Sequence, residues 1–421
     1  MRIAYVTETY LPSTDGVVTR MRHAVDWLVR AGHDVLVVCP DVGGFDHAGY
    51  DVAGVRAVRY PLYRSRAWGT PSPSVGRALA GFRPDVVHCW QPSLVGLPAV
   101  LWACGHNVPL VTSYHTDISS YLSYYGPARL IRRPAERYMR WLCNRSPLTL
   151  VTSRAMGDKL DGLGFTGLRV LPRGVDLSAR DPRFRSAAMR ERLSGGRPEA
   201  PLLVFVGRVA AEKGLATLEP LMRTHPSWRL AVVGDGPARE GLERQFAGTG
   251  ATFTGFMSGR ELSEAFASGD AFVFPSLTET LGLVLLEAMA SGVPVVAAHS
   301  PATDEQLRDG ENGLTYDAAD PAALEAAVTR ALSDEPLRER VRDAALADAR
   351  HESWDNASAA LMGAYEETLA AYADGWRPPR HPGGRWAGQG GPMPALPVVP
   401  RDAEAGGIVG ATPTPDPRGA R

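Results

Sequence analysis

The feature that most constrains this chain is a rhythm that runs along nearly all of it. Short apolar, β-branched runs alternate with longer stretches of helical spacing. Ile3 to Val6 is the first such run. Val18, Met21, Val25, Leu28 and Val29 then recur at helical intervals up to Gly32, and Val35-Leu-Val-Val38 follows. Strand, helix and strand in that order make a βαβ unit, whose two strands lie parallel. Asp85–Cys89, Leu110–Thr112 and Leu148–Val151 continue the alternation. The pattern starts afresh at Leu202–Val206 and runs on through Leu230–Val233, Ala251–Thr254, Ala271–Phe274 and Val293–Ala297. Parallel sheets are covered on both faces, so their strands read as unbroken apolar runs, as these do. The fold class expected is α/β, with two doubly wound parallel sheets, one in each half.

A chain of 421 residues exceeds one ordinary core, which agrees with that division. Residues 1–176 read as the first domain. A polar, Arg- and Gly-containing connection over 177–200 leads to the second domain at 201–350. Residues 351–375 hold a long helix, Trp354 to Tyr372, expected to pack back on the first domain. The Pro-, Gly- and Arg-rich remainder, 376–421, is expected to be disordered. Forty-five basic residues stand against 46 acidic ones, so no global field favours nucleic acid. Cys39, Cys89, Cys104 and Cys143 have no paired spacing, which suits reduced thiols and argues against zinc. The first strand pattern begins at Ile3, leaving no room for a signal peptide, and no run is long enough to span a bilayer. A cytoplasmic protein is expected.

In doubly wound sheets, ligands bind beyond the carboxyl ends of the strands. The strand pattern Ala271–Phe274 stops at Pro275, and a helix pattern opens just after Thr280. Glu279 therefore falls on the loop at the helix mouth and Glu287 about two turns inside, roughly 12 Å away at 1.5 Å per residue. Unpaired N–H groups at Thr280-Leu281-Gly282 and the positive end of the helix dipole suit a diphosphate. A carboxylate on either side can accept hydroxyls from a sugar and from a ribose. The plain alternative is an amphipathic helix with an acidic start. Gly207-Arg208 through Glu212-Lys213-Gly214 follows the first strand of the same half, and its two cations can neutralise a diphosphate without a metal. The chain has lysine only at 159 and 213, which favours a specific contact for Lys213 over a chance exposed cation.

In the first half, Gly16 can bring backbone close to a phosphate, and His115-Thr116-Asp117 stands at a strand end. His115 either orients a hydroxyl or simply bonds to backbone. Val233-Gly234-Asp-Gly236 lacks the third glycine of a dinucleotide fingerprint, since Arg239 stands there, so NAD binding is discounted. The basic stretch 128–141, with Tyr138 and Trp141 interleaved, is either a solvated helix face or a docking face for an anionic membrane. Pro134 argues against one continuous helix through it.

Together these residues resemble the retaining glycosyltransferases of family 4, whose architecture is GT-B: two Rossmann-like domains facing across a cleft. The E-x7-E element Glu279…Glu287, the Gly207-Arg208…Lys213-Gly214 loop, Gly16 and His115-Thr-Asp117 carry the resemblance, which covers residue 1 to about Tyr372. It implies that Glu279 contacts the transferred sugar, Glu287 the ribose, and Arg208 and Lys213 the diphosphate, with His115 beside the sugar and no metal or cofactor. Within the family, the N-terminal stretch, Arg173-Gly-Val-Asp176 and Glu279-Thr-Leu-Gly282 most resemble bacterial lipid-directed mannosyl- and sulfoquinovosyl-type transferases. The implied donor is GDP-mannose or a UDP-hexose, and the acceptor a glycolipid or small molecule, with the inner face of the plasma membrane as a place of action. Asp15-Gly16 replaces a common Gly-Gly pair, and His299-Ser-Pro-Ala302 a glycine-rich turn. Three other functions remain open. A nucleotide-sugar epimerase consumes donor without an acceptor, a glycan phosphorylase needs phosphate and a cofactor lysine, and a binding module never turns over.

Overall fold

The computed structural model describes residues 1–11, 16–41, 43, 49–59, 67–117, 131–279 and 281–379. The segment 376–421, expected to be disordered, lies outside these from residue 380 onward, as does Thr280. Two wholly parallel sheets dominate. The first contains β1 (Arg2–Thr7), β2 (Asp34–Pro40), β3 (Asp51–Val55), β6 (Val86–Trp90), β7 (Leu110–Tyr114), β8 (Leu148–Val151) and β9 (Leu168–Val170), in the order β3-β2-β1-β6-β7-β8-β9. Between them in sequence, β4 (Ala57–Arg59) and β5 (Ala67–Gly69) form a small antiparallel ribbon. The second contains β10 (Leu202–Val206), β11 (Arg229–Val233), β12 (Ala251–Gly255), β13 (Ala271–Phe274), β14 (Val295–Ala298) and β15 (Leu314–Tyr316), in the order β12-β11-β10-β13-β14-β15. Both strand orders reverse direction once, between β1 and β6 and between β10 and β13. Those two reversals are where such sheets open a ligand crevice.

Among the described residues, the helices of the first lobe are α1 (Gly16–Arg30), α2 (Pro73–Phe82), α3 (Gly96–His106), α4 (Arg132–Cys143) and α5 (Arg154–Gly162). The second lobe has α6 (Ala187–Leu193), α7 (Glu219–Thr224), α8 (Arg239–Gln245), α9 (Gly259–Ala267), α10 (Leu283–Ala290), α11 (Pro301–Asp304), α12 (Pro321–Ser333) and α13 (Glu335–His351). A last helix, α14 (Trp354–Ala373), follows. Their starts are chemically marked. Ser153 Oγ accepts the Met156 N–H at 3.1 Å to cap α5, and Ser353 does the same for Asn356 in α14. Pro134 does not interrupt α4. It occupies the first turn, where the missing N–H has no helical partner to lose.

Each sheet is buried on both faces. The second-lobe core joins Phe205, Phe272 and Phe274 of the sheet to Leu285 and Met289 of α10, and it includes Met189 and Leu193 of α6. In the first lobe, Ile3, Tyr5 and Val37 pack under α1 together with Leu361, Ala364 and Tyr365 of α14. The chain thus returns at its end to the lobe where it began. The outgoing and returning strands of this crossing are tied together, with Val175 N–H donating to Glu352 O at 2.8 Å. Cys39, Cys89 and Cys143 are buried free thiols, and burial pushes Cys39 and Cys143 up to about 12.

Candidate functional site

The loops after β10 and β13 leave the second sheet on either side of its reversal, and they meet. Gly214, at φ +70°, lies so close to the second loop that a Cβ there would stand 2.6 Å from the Pro275 carbonyl oxygen. That approach sets Lys213 Nζ 2.7 Å from Glu279 Oε2, with both side chains mostly buried. Lys213 also lies over the Phe274 ring, 5.8 Å from its centroid. Arg208 leaves the same loop after Gly207 and pairs with Glu212. The loop is braced once more where Thr278 Oγ1 donates to Glu212 O at 3.3 Å. Lys213, Arg208 and Glu279 are therefore gathered at one edge of the second lobe, although 66 residues separate Lys213 from Glu279.

The helix behind them begins later than the sequence pattern implies. Gly282 sits at φ +65° as the N-cap of α10, so the helix opens at Leu283 and Glu287 stands little more than one turn in. Its Oε1 accepts from Arg180 Nη2 at 2.9 Å. Burial pushes the Glu287 carboxyl up, and the Arg180 guanidinium pulls it back down. Arg180 also donates to Ser263 Oγ at 3.2 Å and lies over the Phe266 ring. The discounted Gly234 and Gly236 have a packing reason. A Cβ on either would overlap the backbone oxygen of Gly207 or Val209, so they let the β11 loop support the β10 loop.

In the first lobe, His115 leaves β7 and is buried. Its ring stacks flat on Trp90, centroids 4.8 Å apart. Gln91, held at φ +56°, accepts the His115 and Thr116 N–H groups at 2.6 and 2.8 Å on Oε1 and so shapes this turn. Burial and the nearby Arg20 guanidinium hold the His115 imidazole well below its usual range, so it is neutral at pH 7. Asp117 Oδ2 lies 2.5 Å from Lys159 Nζ of α5. Gly16 opens α1 and faces the second lobe: a Cβ on it would touch Leu283, the first residue of α10, at 3.5 Å. The first residues of α1 and α10 thus confront each other across the cleft.

Several participants had roles that the sequence did not show. Arg180 lies in the connecting region and holds Glu287, more than 100 residues away, and Arg173, in the stretch already noted for its resemblance, reaches Leu281 over a similar span. Beneath His115, a buried network joins Tyr365 of α14 to Tyr5 at 2.9 Å and to His88 Nδ1 at 2.8 Å, and His88 bonds on to Ser113. Of the basic stretch, Tyr138 and Arg140 are engaged inside the lobe, with Ser93 O at 2.6 Å and Leu163 O at 2.7 Å. Ile131, Arg132, Arg133 and Arg137 are exposed, and residues 128–130 lie outside the described ones. Among the described residues, no helix is long and apolar enough to cross a membrane.

Comparison with known proteins gives the same picture for both lobes. Residues 14–179 match the family described as Glycosyltransferase Family 4, and residues 191–348 match Glycosyl transferases group 1. The sulfoquinovosyl transferase of Arabidopsis thaliana is 38% identical over 84% of this chain and 71% of its own. A GDP-mannose-dependent alpha-mannosyltransferase of Mycolicibacterium smegmatis is 33% identical, covering 88% of this chain and 98% of its own. Among solved structures, sucrose-phosphate synthase from Thermosynechococcus elongatus superposes with a TM-score of 0.71 at 20% identity, covering 88% of this chain and 99% of that one. Anabaena HepE, solved with UDP and glucose, superposes with a TM-score of 0.69 at 17% identity, covering 86% and 99%. Both sheets and the cleft between them are thus those of the GT-B fold.

Proposed function

Because this chain belongs to the GT-B glycosyltransferases, with an amino-terminal domain of family 4, we propose that it moves a hexosyl group from a nucleoside diphosphate sugar to a hydroxyl acceptor with the anomeric configuration retained. The observation that carries this reading is the Lys213–Glu279 pair at the mouth of α10, with Arg208 on the same loop. Departure of the diphosphate builds negative charge where these cations and the N–H groups of Leu281 and Gly282 can receive it. Fixed charges and dipoles aimed at a developing anion form the largest catalytic term in many enzymes. No metal is needed for that neutralisation.

Glu279 holds the transferred sugar, and Glu287 offers its remaining carboxylate oxygen to the ribose while Arg180 keeps it oriented. Neutral His115 donates to a sugar hydroxyl, and Asp117, held by Lys159, lines the acceptor side. The acceptor oxygen bonds to the anomeric carbon on the face the diphosphate leaves. The carbon–oxygen bond to phosphate breaks, and the acceptor's proton passes to the departing phosphate oxygen. GDP-mannose is the first donor to test, by likeness to the mannosyltransferase relatives, and a UDP-hexose the second. The acceptor is a glycolipid or a small-molecule hydroxyl, the former met at a membrane surface through Arg132, Arg133 and Arg137. The test is nucleoside diphosphate release from a panel of nucleotide sugars, with and without a lipid extract and with chelator present. Acceptor-dependent release with a glycosylated product supports the reading. Donor consumption without any acceptor and with no glycosylated product overturns it in favour of an epimerase.

A further inference from the structure

We propose that Glu305 is a positioning residue that couples closure of the two lobes to the shape of the diphosphate seat, acting through Arg173 on the backbone of Leu281. The inference rests on the proposed function, in which Leu281 and Gly282 are part of that seat. Glu305 directly follows α11 in the second lobe, yet its carboxylate serves the first. Oε1 accepts the Ala155 N–H at 2.7 Å and Oε2 the Arg154 N–H at 3.0 Å, the first two residues of α5. Arg173, on the chain passage between the lobes, brings Nη2 to 3.4 Å from the same Oε2. From there its Nε donates to the Leu281 carbonyl at 3.0 Å. Gln306, the neighbour of Glu305, donates to that carbonyl too, at 3.3 Å.

The Leu281 carbonyl therefore holds two donors, which fixes the plane of its peptide. In a trans peptide the following N–H points opposite to the carbonyl. Anchoring Leu281 O thus aims the Gly282 N–H away from Arg173 and Gln306, free to face the anion. Gln306 packs so tightly on Gly282 that a Cβ there would overlap its Nε2. Helix α5 carries the link onward, because its Lys159 holds Asp117. A continuous series of contacts joins the diphosphate seat to the acceptor side: Leu281, Arg173, Glu305, α5, Lys159, Asp117.

When the lobes part, Glu305 leaves the α5 N-terminus, Arg173 loses its oriented carboxylate, and the Leu281 peptide is released. The seat then takes its working shape only when the acceptor lobe is in place, which withholds donor cleavage from water. Two substitutions break the link from opposite sides. Glu305→Ala removes the carboxylate. Arg154→Pro removes one of its donors from the first lobe and leaves Arg173 untouched. Proline is accommodated at the first helical position, and Ser153 is already extended at φ −156°, ψ 161°, as a residue before proline must be.

Turnover of GDP-mannose and UDP-glucose is measured with and without acceptor, with GDP and UDP binding by calorimetry and a thermal melt. In both variants kcat is expected to fall by up to about 100-fold, the cost of a remote change that misplaces reacting groups by about 1 Å, while donor KM and nucleoside diphosphate affinity stay within about threefold. The share of donor lost to water rises. Wild-type kcat and wild-type partition in either variant overturn the inference, as does a loss of kcat matched by collapse of the melt. If the wild type turns over donor and the variants equal it, this inference alone falls. If the wild type neither binds nor cleaves either donor, the proposed function falls and this inference with it.

Discussion

Replacing Lys213 by alanine separates catalysis from folding most cleanly. The side chain contributes one charge, 2.7 Å from Glu279 Oε2, from a loop whose path is set by Gly214 against the Pro275 carbonyl and not by the ion pair itself. Losing one partner of a mostly buried pair of this kind leaves the Glu279 carboxylate unmet and costs about 1–3 kcal/mol of stability. For lobes of this size each 1 kcal/mol lowers the melting temperature by about 2–4 °C. Removing a preorganised group that meets charge developing in the transition state costs far more, about 2.7–4 kcal/mol, or about 10²–10³ in kcat. The two effects are read by a thermal melt and by steady-state nucleoside diphosphate release at saturating donor. Glu279→Gln is the companion variant, and the double variant should lose less than the product of the two single losses, because the residues touch. A Lys213→Ala enzyme with wild-type kcat and KM refutes the assignment. So does one whose activity loss is explained by unfolding.

Three further outcomes follow from the electrostatics and packing. Arg180→Ala leaves Glu287 without its guanidinium, so donor KM rises and stability falls by about 1–3 kcal/mol at pH 7. Because the Glu287 carboxyl is already raised, the folded variant binds more protons than the unfolded chain, and the deficit should shrink as pH falls toward the carboxylate range; melts from pH 8 to 5 check this. His88 and His115 are both held well below the usual imidazole range by burial, so the folded state binds fewer protons and stability should decline as pH falls through about 6.5. His88→Asn should flatten that decline, measured as melting temperature against pH. Tyr365→Phe deletes the hydroxyl shared by His88 and Tyr5 and leaves buried partners unmet, costing about 1–3 kcal/mol in chemical denaturation with little change in donor KM.

How far the sequence foretells this molecule depends on the range over which each signal acts. Strands such as Leu202–Val206 and Val35–Val38 are legible because burial on both faces demands unbroken apolar runs. Leu168–Val170 and Leu314–Tyr316 are too short to show a pattern, and each joins its sheet only by pairing with one neighbour at the edge. Lys213 and Glu279 can be singled out because each follows a recognisable strand, and the topology then places them side by side. Arg180 and Glu305 cannot, and Arg173 stands out only by resemblance, since the contacts that give them meaning are to partners distant along the chain. The start of α10 illustrates a local signal overruled: the apolar spacing suggests a helix from about Thr280, but Gly282 in the left-handed region delays it to Leu283.

The most direct measurement is a structure determined with GDP or UDP bound, chosen by which of the two binds. The account predicts the diphosphate within hydrogen-bonding distance of Lys213 and Arg208 at the mouth of α10, and the ribose hydroxyls on Glu287. A nucleotide lodged instead beneath α1 in the first lobe, with the Lys213–Glu279 pair untouched, would contradict it.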